Sequence, residues 1–178
     1  MKKVLITGAN GNLGRLVGDR FISTGVEVTG FDLPDSSGTA ADDLITGDIR
    51  DTALLESIIK QHRPDGICHL ASLLSGSSEL DLEASWDINA TSSLRLMQLA
   101  REYNVERFFF ASSAATYSGV DANPMPNDYP QWPLTLYGVT KLAVERLGYY
   151  FQQKHGLDFH PPPDAHDPAT EVLIHKHL

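Results

Sequence analysis

Tyr137 and Lys141 stand four residues apart in the stretch YGVTK. On a helix that spacing puts both side chains on one face. A phenol and an ammonium so placed can work as a proton-transfer pair. A free tyrosine titrates at about 10, too high for a good base at neutral pH. An ammonium one turn away stabilises the phenolate and lowers that value. Oxidation of an alcohol calls for such a base, because the hydroxyl proton must leave as the hydride departs. A second hydroxyl is needed to hold the reacting oxygen. Ser112 and Ser113, in ASSAATY, are the candidates.

A second group of residues could hold a phosphate. GANGNLG places Gly8, Gly11 and Gly14 at the end of a short β-branched run, KVLITG, and at the start of a helical pattern. Gly8 permits a tight turn, Gly11 lets backbone approach a pyrophosphate, and Gly14 lets the helix pack on the sheet. The helix N-terminus then offers amide N–H groups to the phosphates. Asp32 closes the next apolar run, VEVTGFD. A carboxylate there accepts hydrogen bonds from both adenine-ribose hydroxyls and repels a 2′-phosphate, so NAD is expected over NADP.

The elements that must position these residues alternate along the chain. KVLITG, VEVTGFD, LITGD, GICHLA and RFFFASS read as five strands. Between them, Leu13, Leu16, Val17, Phe21 and Ile22 mark a first helix by their spacing. Asp51 caps a second helix that Pro64 closes. A long helix spans about 83–103, and the last strong helix about 137–155. A Pro-rich loop, 121–133, precedes it. Strand–helix alternation predicts right-handed crossovers and a doubly wound parallel α/β sheet of Rossmann type, with strand order 3-2-1-4-5.

Bulk properties narrow the function. The chain has 178 residues, 42% of them hydrophobic and 21% charged, and a formal net charge of -9. No basic cluster stands out, which argues against nucleic acid or an anionic membrane as partner. The apolar run near the N-terminus is too short for a signal peptide, and nothing approaches a membrane span. Cys68, the single cysteine, lies in an apolar strand pattern. One cysteine allows no disulfide within the chain, so a cytoplasmic location is expected.

Together, TGANGNLG, GDIRD, HLAS, DINATSSL, FFFASSAATYSG and YGVTK resemble the extended short-chain dehydrogenase/reductases, the NAD-dependent epimerase/dehydratase family. The resemblance runs from about Lys2 to Phe159. It implies that Asn10, Asn12 and Leu13 join Gly8 and Gly11 around the cofactor. It also implies that Asp48 and Ile49 flank the adenine, and that Leu70, Ala71 and Ser72 line the cofactor channel. Asn89 would hold the end of the fourth strand open. Ser113 would be the catalytic hydroxyl with Ser112 nearer the cofactor, and Lys141 would also bond the nicotinamide ribose. Within the family, HLASLLSGSSE with SWDIN is similar to the short-form L-threonine 3-dehydrogenases, which suggests Ser75 as a substrate contact. Nucleotide-sugar 4-epimerases or dehydratases share the glycine loop and the Tyr–Lys pair. An NAD-binding module without catalysis is the third reading.

After Phe159 the composition changes. Residues 160–178 carry four prolines and four histidines. Pro161, Pro162 and Pro163 cannot continue a central strand, because proline donates no ladder hydrogen bond. A sixth strand starting at GLDF is therefore expected to be incomplete, leaving strand five with an unpaired edge. Residues 1–159 are expected to form the NAD-binding domain, with 160–178 an atypical tail where the family has a substrate domain. Turnover by this form would then be impaired. The tail histidines match no dense ligand motif, and no metal site is expected. A homodimer is expected because two helices carry apolar residues on more than one stripe, Leu94, Leu96, Met97, Leu99 and Ala100 on one and Leu142, Val144, Leu147, Tyr149 and Phe151 on the other; one stripe can face the sheet, and the other needs a partner.

Overall fold

The computed structural model describes residues 1–34, 41–119 and 130–161. Six parallel strands form one sheet in the order β3-β2-β1-β4-β5-β6. They are β1 (Lys3–Thr7), β2 (Glu27–Asp32), β3 (Asp43–Thr46), β4 (Gly66–His69), β5 (Arg107–Phe110) and β6 (Asp158–His160). The helices are α1 (Asn12–Ser23), α2 (Thr52–His62), α3 (Ser75–Ser78), α4 (Leu82–Trp86), α5 (Ser92–Glu102) and α6 (Leu136–His155). A 3₁₀ turn, Ala114–Tyr117, follows β5.

β1 is central because Val4, Leu5 and Ile6 are buried on both faces, as parallel strands covered by crossover helices must be. One face packs Leu5, Ile67 and Phe108 against α2, α5 and α6, and the other packs Val4, Ile6 and Cys68 with Val17 of α1. The chain reverses direction across the sheet between β1 and β4. That switch point opens a crevice at the carboxyl edge, where open α/β sheets bind ligands.

The structure differs from the sequence pattern in four places. Helix α1 buries Gly14, Val17 and Gly18, while Leu13 and Leu16 are exposed. Close approach to the sheet turns the glycine side inward and leaves those leucines outside.

The long helix over 83–103 is not one α-helix. Asp87–Thr91 form a π-helical turn between α4 and α5, in which the Ser92 amide reaches back to the Asp87 carbonyl. The Ser92 and Ser93 hydroxyls donate to the carbonyls of Ile88 and Asn89. Such back-bonding competes with the regular ladder, and one extra residue is accommodated in the turn.

Strand six is present, though only three residues long. It stops at His160, directly before the prolines, and pairs with β5 in the register Phe108↔Phe159. Strand five is thus not left as an edge. Phe159 is buried and stacks on Phe108 at 6.2 Å between centroids. Gly148 makes room for it: a Cβ there would lie 2.1 Å from the Phe159 ring.

Most of the apolar residues in the stripes of α5 and α6 belong to the chain's own core. Leu96, Met97, Leu99, Ala100, Val144 and Phe151 are all buried. Leu82 and Trp86 on α4, and Val139 and Tyr150 on α6, remain exposed. Among the described residues, no helix is long and apolar enough to cross a membrane.

Candidate active site

Gly8 takes φ 73°, where a glycine is favoured, and its amide donates to the Phe31 carbonyl at 2.8 Å. A Cβ on Gly8 would lie 2.7 Å from the Ala71 amide nitrogen, so the turn after β1 sits directly on the segment leaving β4. A Cβ on Gly14 would lie 2.2 Å from the Gly8 carbonyl oxygen. Only glycine fits either place. Gly11 is the N-cap of α1 and supplies no side-chain hydrogen bond. The first-turn amides, from Asn12 and Leu13 onward, therefore present their N–H groups at a positive helix end.

Asp32 ends β2 beside this loop. One carboxylate oxygen accepts the Asn10 amide at 2.7 Å, and the other accepts the Leu33 amide at 2.7 Å. The acid thus fixes the loop and keeps lone pairs for further donors. Asp48 lies after β3 and is engaged by Arg50, whose Nε donates at 2.9 Å. That hydrogen bond holds the Asp48 carboxyl below its ordinary range. Ile49 beside it is buried.

The far side of the crevice begins at the end of β4. Leu70, Ala71 and Ser72 are half-buried there. Asn89, buried in the π turn, accepts the Leu73 amide at 2.8 Å and donates to the Leu73 carbonyl at 3.2 Å and to the Thr140 hydroxyl at 3.3 Å. It treats Leu73 much as a neighbouring strand would. Beneath it runs a polar chain that the sequence reading missed. His69 is buried, with Nδ1 2.6 Å from the Thr7 hydroxyl and Nε2 2.8 Å from the Ser93 hydroxyl. The Ser93 proton is committed to the Asn89 carbonyl, so His69 Nε2 carries the hydrogen and Nδ1 accepts from Thr7. Burial, aided by the Lys141 charge, pulls the imidazole down to about 3 and keeps it neutral.

The Tyr–Lys pair lies at the start of α6. Thr135 caps that helix by accepting the Gly138 amide at 3.1 Å, and Glu79 accepts the Leu136 amide at 2.7 Å. Lys141 is only 3% exposed. Its Nζ donates to the Ala111 carbonyl at 2.9 Å and lies 4.7 Å from the Phe110 ring centroid and 5.4 Å from that of Tyr137. Burial pulls its pKa to about 8. At neutral pH it is still a cation, close to the phenol. Ser113 follows β5 and caps the 3₁₀ turn, with its hydroxyl accepting the Ala115 amide at 3.2 Å. Ser112 instead donates to Glu145. Gly138 is obligatory, since a Cβ would stand 2.4 Å from the Ala115 carbonyl oxygen. The absence of a side chain there lets α6 close onto the serine-bearing turn.

The glycine loop, Asp32, the ends of β4 and β5 and the start of α6 thus meet at one sheet edge. Ser75 is exposed at the first position of α3. A groove of about 420 Å³ lined by Leu82, Glu83, Trp86, Asp87 and Leu136 lies on the flank between α4 and α6, and no residue of the crevice lines it. The sequence reading missed Glu145, although its spacing of four from Lys141 was visible. It also missed Gln131, inside a Pro-rich loop with no periodicity to mark it.

A parallel sheet with this strand order, a glycine turn at the switch point and an acid ending β2 defines a dinucleotide-binding domain of Rossmann type. Residues 4–160 match the model of the NAD dependent epimerase/dehydratase family. The chain belongs to that family. It is 31% identical over 165 residues to an uncharacterized epimerase/dehydratase of Staphylococcus saprophyticus, covering 89% of this chain and 51% of the relative. The UDP-glucose 4-epimerase of Thermotoga maritima, solved with UDP-glucose, superposes with a TM-score of 0.84 at 27% identity, over 89% of this chain and 54% of that one. An L-threonine dehydrogenase from Clostridium difficile superposes with a TM-score of 0.83 at 32% identity, over 90% of this chain and 52% of that one. The chain spans about half the length of the curated relatives it matches.

Proposed function

We propose that this chain carries the NAD-binding and proton-transfer part of an oxidoreductase acting on a small hydroxy substrate of the L-threonine kind. The observation that carries the reading is the buried Lys141 ammonium, held by the Ala111 carbonyl with its Nζ 5.4 Å from the Tyr137 ring centroid. The cofactor fit rests on the glycine cradle, which any side chain would fill, and on an α1 N-terminus without a side-chain cap.

In this reading the α1 amides bind the pyrophosphate, with Asn10, Asn12 and Leu13 around it, and Asp32 takes the adenine-ribose hydroxyls. Asp48 and Ile49 border the adenine. Leu70, Ala71, Ser72, Asn89 and Ser112 wall the channel toward the sheet edge. When bound, NAD supplies the hydride acceptor. Ser113 holds the substrate oxygen by hydrogen bonding. Tyr137 takes the hydroxyl proton as the hydride leaves. Lys141 stabilises the phenolate by charge and contributes a donor to the nicotinamide ribose. Ser75 contacts the substrate from α3.

A nucleotide-sugar 4-epimerase is the second reading, favoured by the likeness to the Thermotoga maritima enzyme. In this proposal residues 1–159 are the NAD-binding domain and 160–178 an atypical Pro- and His-rich tail, whose first residue His160 still pairs in β6, in a cytoplasmic homodimer. The exposed Leu82 and Trp86 beside the flank groove supply a surface for a second copy.

The test is to incubate the protein with NAD and either L-threonine or UDP-glucose, reading reduced nicotinamide by absorbance and sugar products by chromatography. Net reduction with L-threonine supports the dehydrogenase. UDP-galactose without net reduction supports the epimerase. NAD binding by calorimetry with neither reaction leaves a binding module. Absence of NAD binding removes all three.

A further inference from the structure

Glu145 is a buried acid, 8% exposed, one helical turn beyond Lys141. One of its oxygens accepts from the Ser112 hydroxyl, and the other accepts the Gln131 amide at 2.9 Å. Gln131 also donates to the Thr116 hydroxyl at 3.2 Å, and Thr116 donates to the Ser113 carbonyl at 2.9 Å. The orientation of Gln131 is fixed from its other side, where Arg146 donates to its carbonyl oxygen at 2.7 Å.

These bonds surround one residue. Just before Ser113, Lys141 holds the Ala111 carbonyl and Glu145 holds the Ser112 side chain. Just after it, Gln131 holds Thr116 and is itself held by Glu145. Ser113 is the residue between the two grips, and both lead to the same carboxylate. We infer that Glu145 is a positioning residue that fixes the Ser113 turn against the Tyr137 face of α6. This rests on the reading of Ser113 and Tyr137 as the reacting groups.

A carboxylate suits this place because it accepts both bonds with charge assistance. Ser112 and Gln131 both donate, so both oxygens must accept. A glutamine at this position can keep its carbonyl on Gln131 and turn its N–H to the Ser112 oxygen, which accepts as well as donates. Glu145→Gln, nearly equal in shape, therefore leaves both contacts possible but removes the charge that strengthens them.

The experiment is amide hydrogen exchange on the whole chain, with NADH binding measured in parallel. The Ala115 and Thr116 amides both bond to Ser113, through its hydroxyl and its carbonyl. In Glu145→Gln they should exchange roughly tenfold faster, the factor lost when charge-assisted hydrogen bonds become neutral ones. Amides in β4 should keep their rates, and NADH affinity should stay within about twofold, since the pyrophosphate cradle lies across the crevice. Gln131→Met, which leaves the buried acid in place, should loosen the same two amides. Unchanged protection at Ala115 and Thr116 in both variants overturns the proposal, as does acceleration spread evenly over β4, β5 and α6. In hydride transfer, Glu145→Gln should lower turnover and add nothing further to Ser113→Ala. Loosened amides with unchanged turnover also overturn it, through the role of Ser113 and not through the clamp.

Discussion

Gly8→Ala adds one methyl group where β1 turns into α1. Two separate costs follow. At φ 73° the backbone is left-handed, which costs an L-residue about 1–2 kcal/mol. The methyl would also stand 2.7 Å from the Ala71 nitrogen and 2.9 Å from the Leu70 carbonyl carbon. Both are backbone atoms and cannot rotate aside, and overpacking of that kind costs about 1–3 kcal/mol. Gly25→Ala is the matched control. Its φ is 79°, yet no neighbouring heavy atom lies within 4 Å of the added carbon. It carries the first cost alone, about 1–2 kcal/mol, against about 2–5 kcal/mol for Gly8→Ala. With a total stability of about 5–15 kcal/mol expected for a domain, urea denaturation at equilibrium resolves the two variants. Equal losses would refute the close approach of the β1 turn to the end of β4, and with it the cradle built on that contact.

Tyr137→Phe should leave NAD affinity nearly intact and reduce hydride transfer by ~10²-fold or more, as loss of a positioned base does; Lys141→Met should damage both, read by calorimetry and by reduced-nicotinamide absorbance. NAD should bind more tightly than NADP, and Asp32→Ala should narrow the gap; equal affinities in the unmutated protein would remove Asp32 from the assignment. Stability should rise with pH in two windows, because in each the unfolded chain binds the extra proton. The first runs from about 3 to 6.5, where His69 stays neutral when folded. The second runs from about 8 to 10.5, where Lys141 releases its proton earlier in the folded chain. Lys141→Met should flatten the upper window in thermal melts. Sedimentation at micromolar concentration should show a dimer, and Trp86→Glu should shift it toward monomer.

What the sequence disclosed was chiefly local chemistry. The Asp51 side chain does cap α2, accepting the Leu54 amide at 3.0 Å. Gly8 and Gly14 occupy positions that exclude a Cβ, as their spacing after a strand implied. Five strands and their order followed from alternation. The remainder depends on partners far away in the chain. Nothing near Phe159 announces that Gly148 leaves space for its ring. Leu13 and Leu16 kept helical spacing yet lie outside, because the nearer glycines decided which side of α1 meets the sheet. His69 reads as one more strand residue until Thr7 and Ser93 are brought to it. Glu145 carried a legible spacing, but the donors that make it matter arrive from Ser112 and from the loop at Gln131.

The π turn at Asp87–Thr91 acts as a phase shifter. Each residue of an α-helix advances about 100° around the axis, so one additional residue offsets the two flanking helices by roughly that angle. Leu82 and Trp86 look outward while Leu96 and Met97 look inward, although all lie on one continuous helical rod. Deleting a single residue from the turn would straighten the ladder but rotate α5 relative to α4. Either the core would lose Leu96 and Met97, or Asn89 would swing away from Leu73. This segment should therefore tolerate change at exposed Asp87, but almost no change of length and none at Asn89.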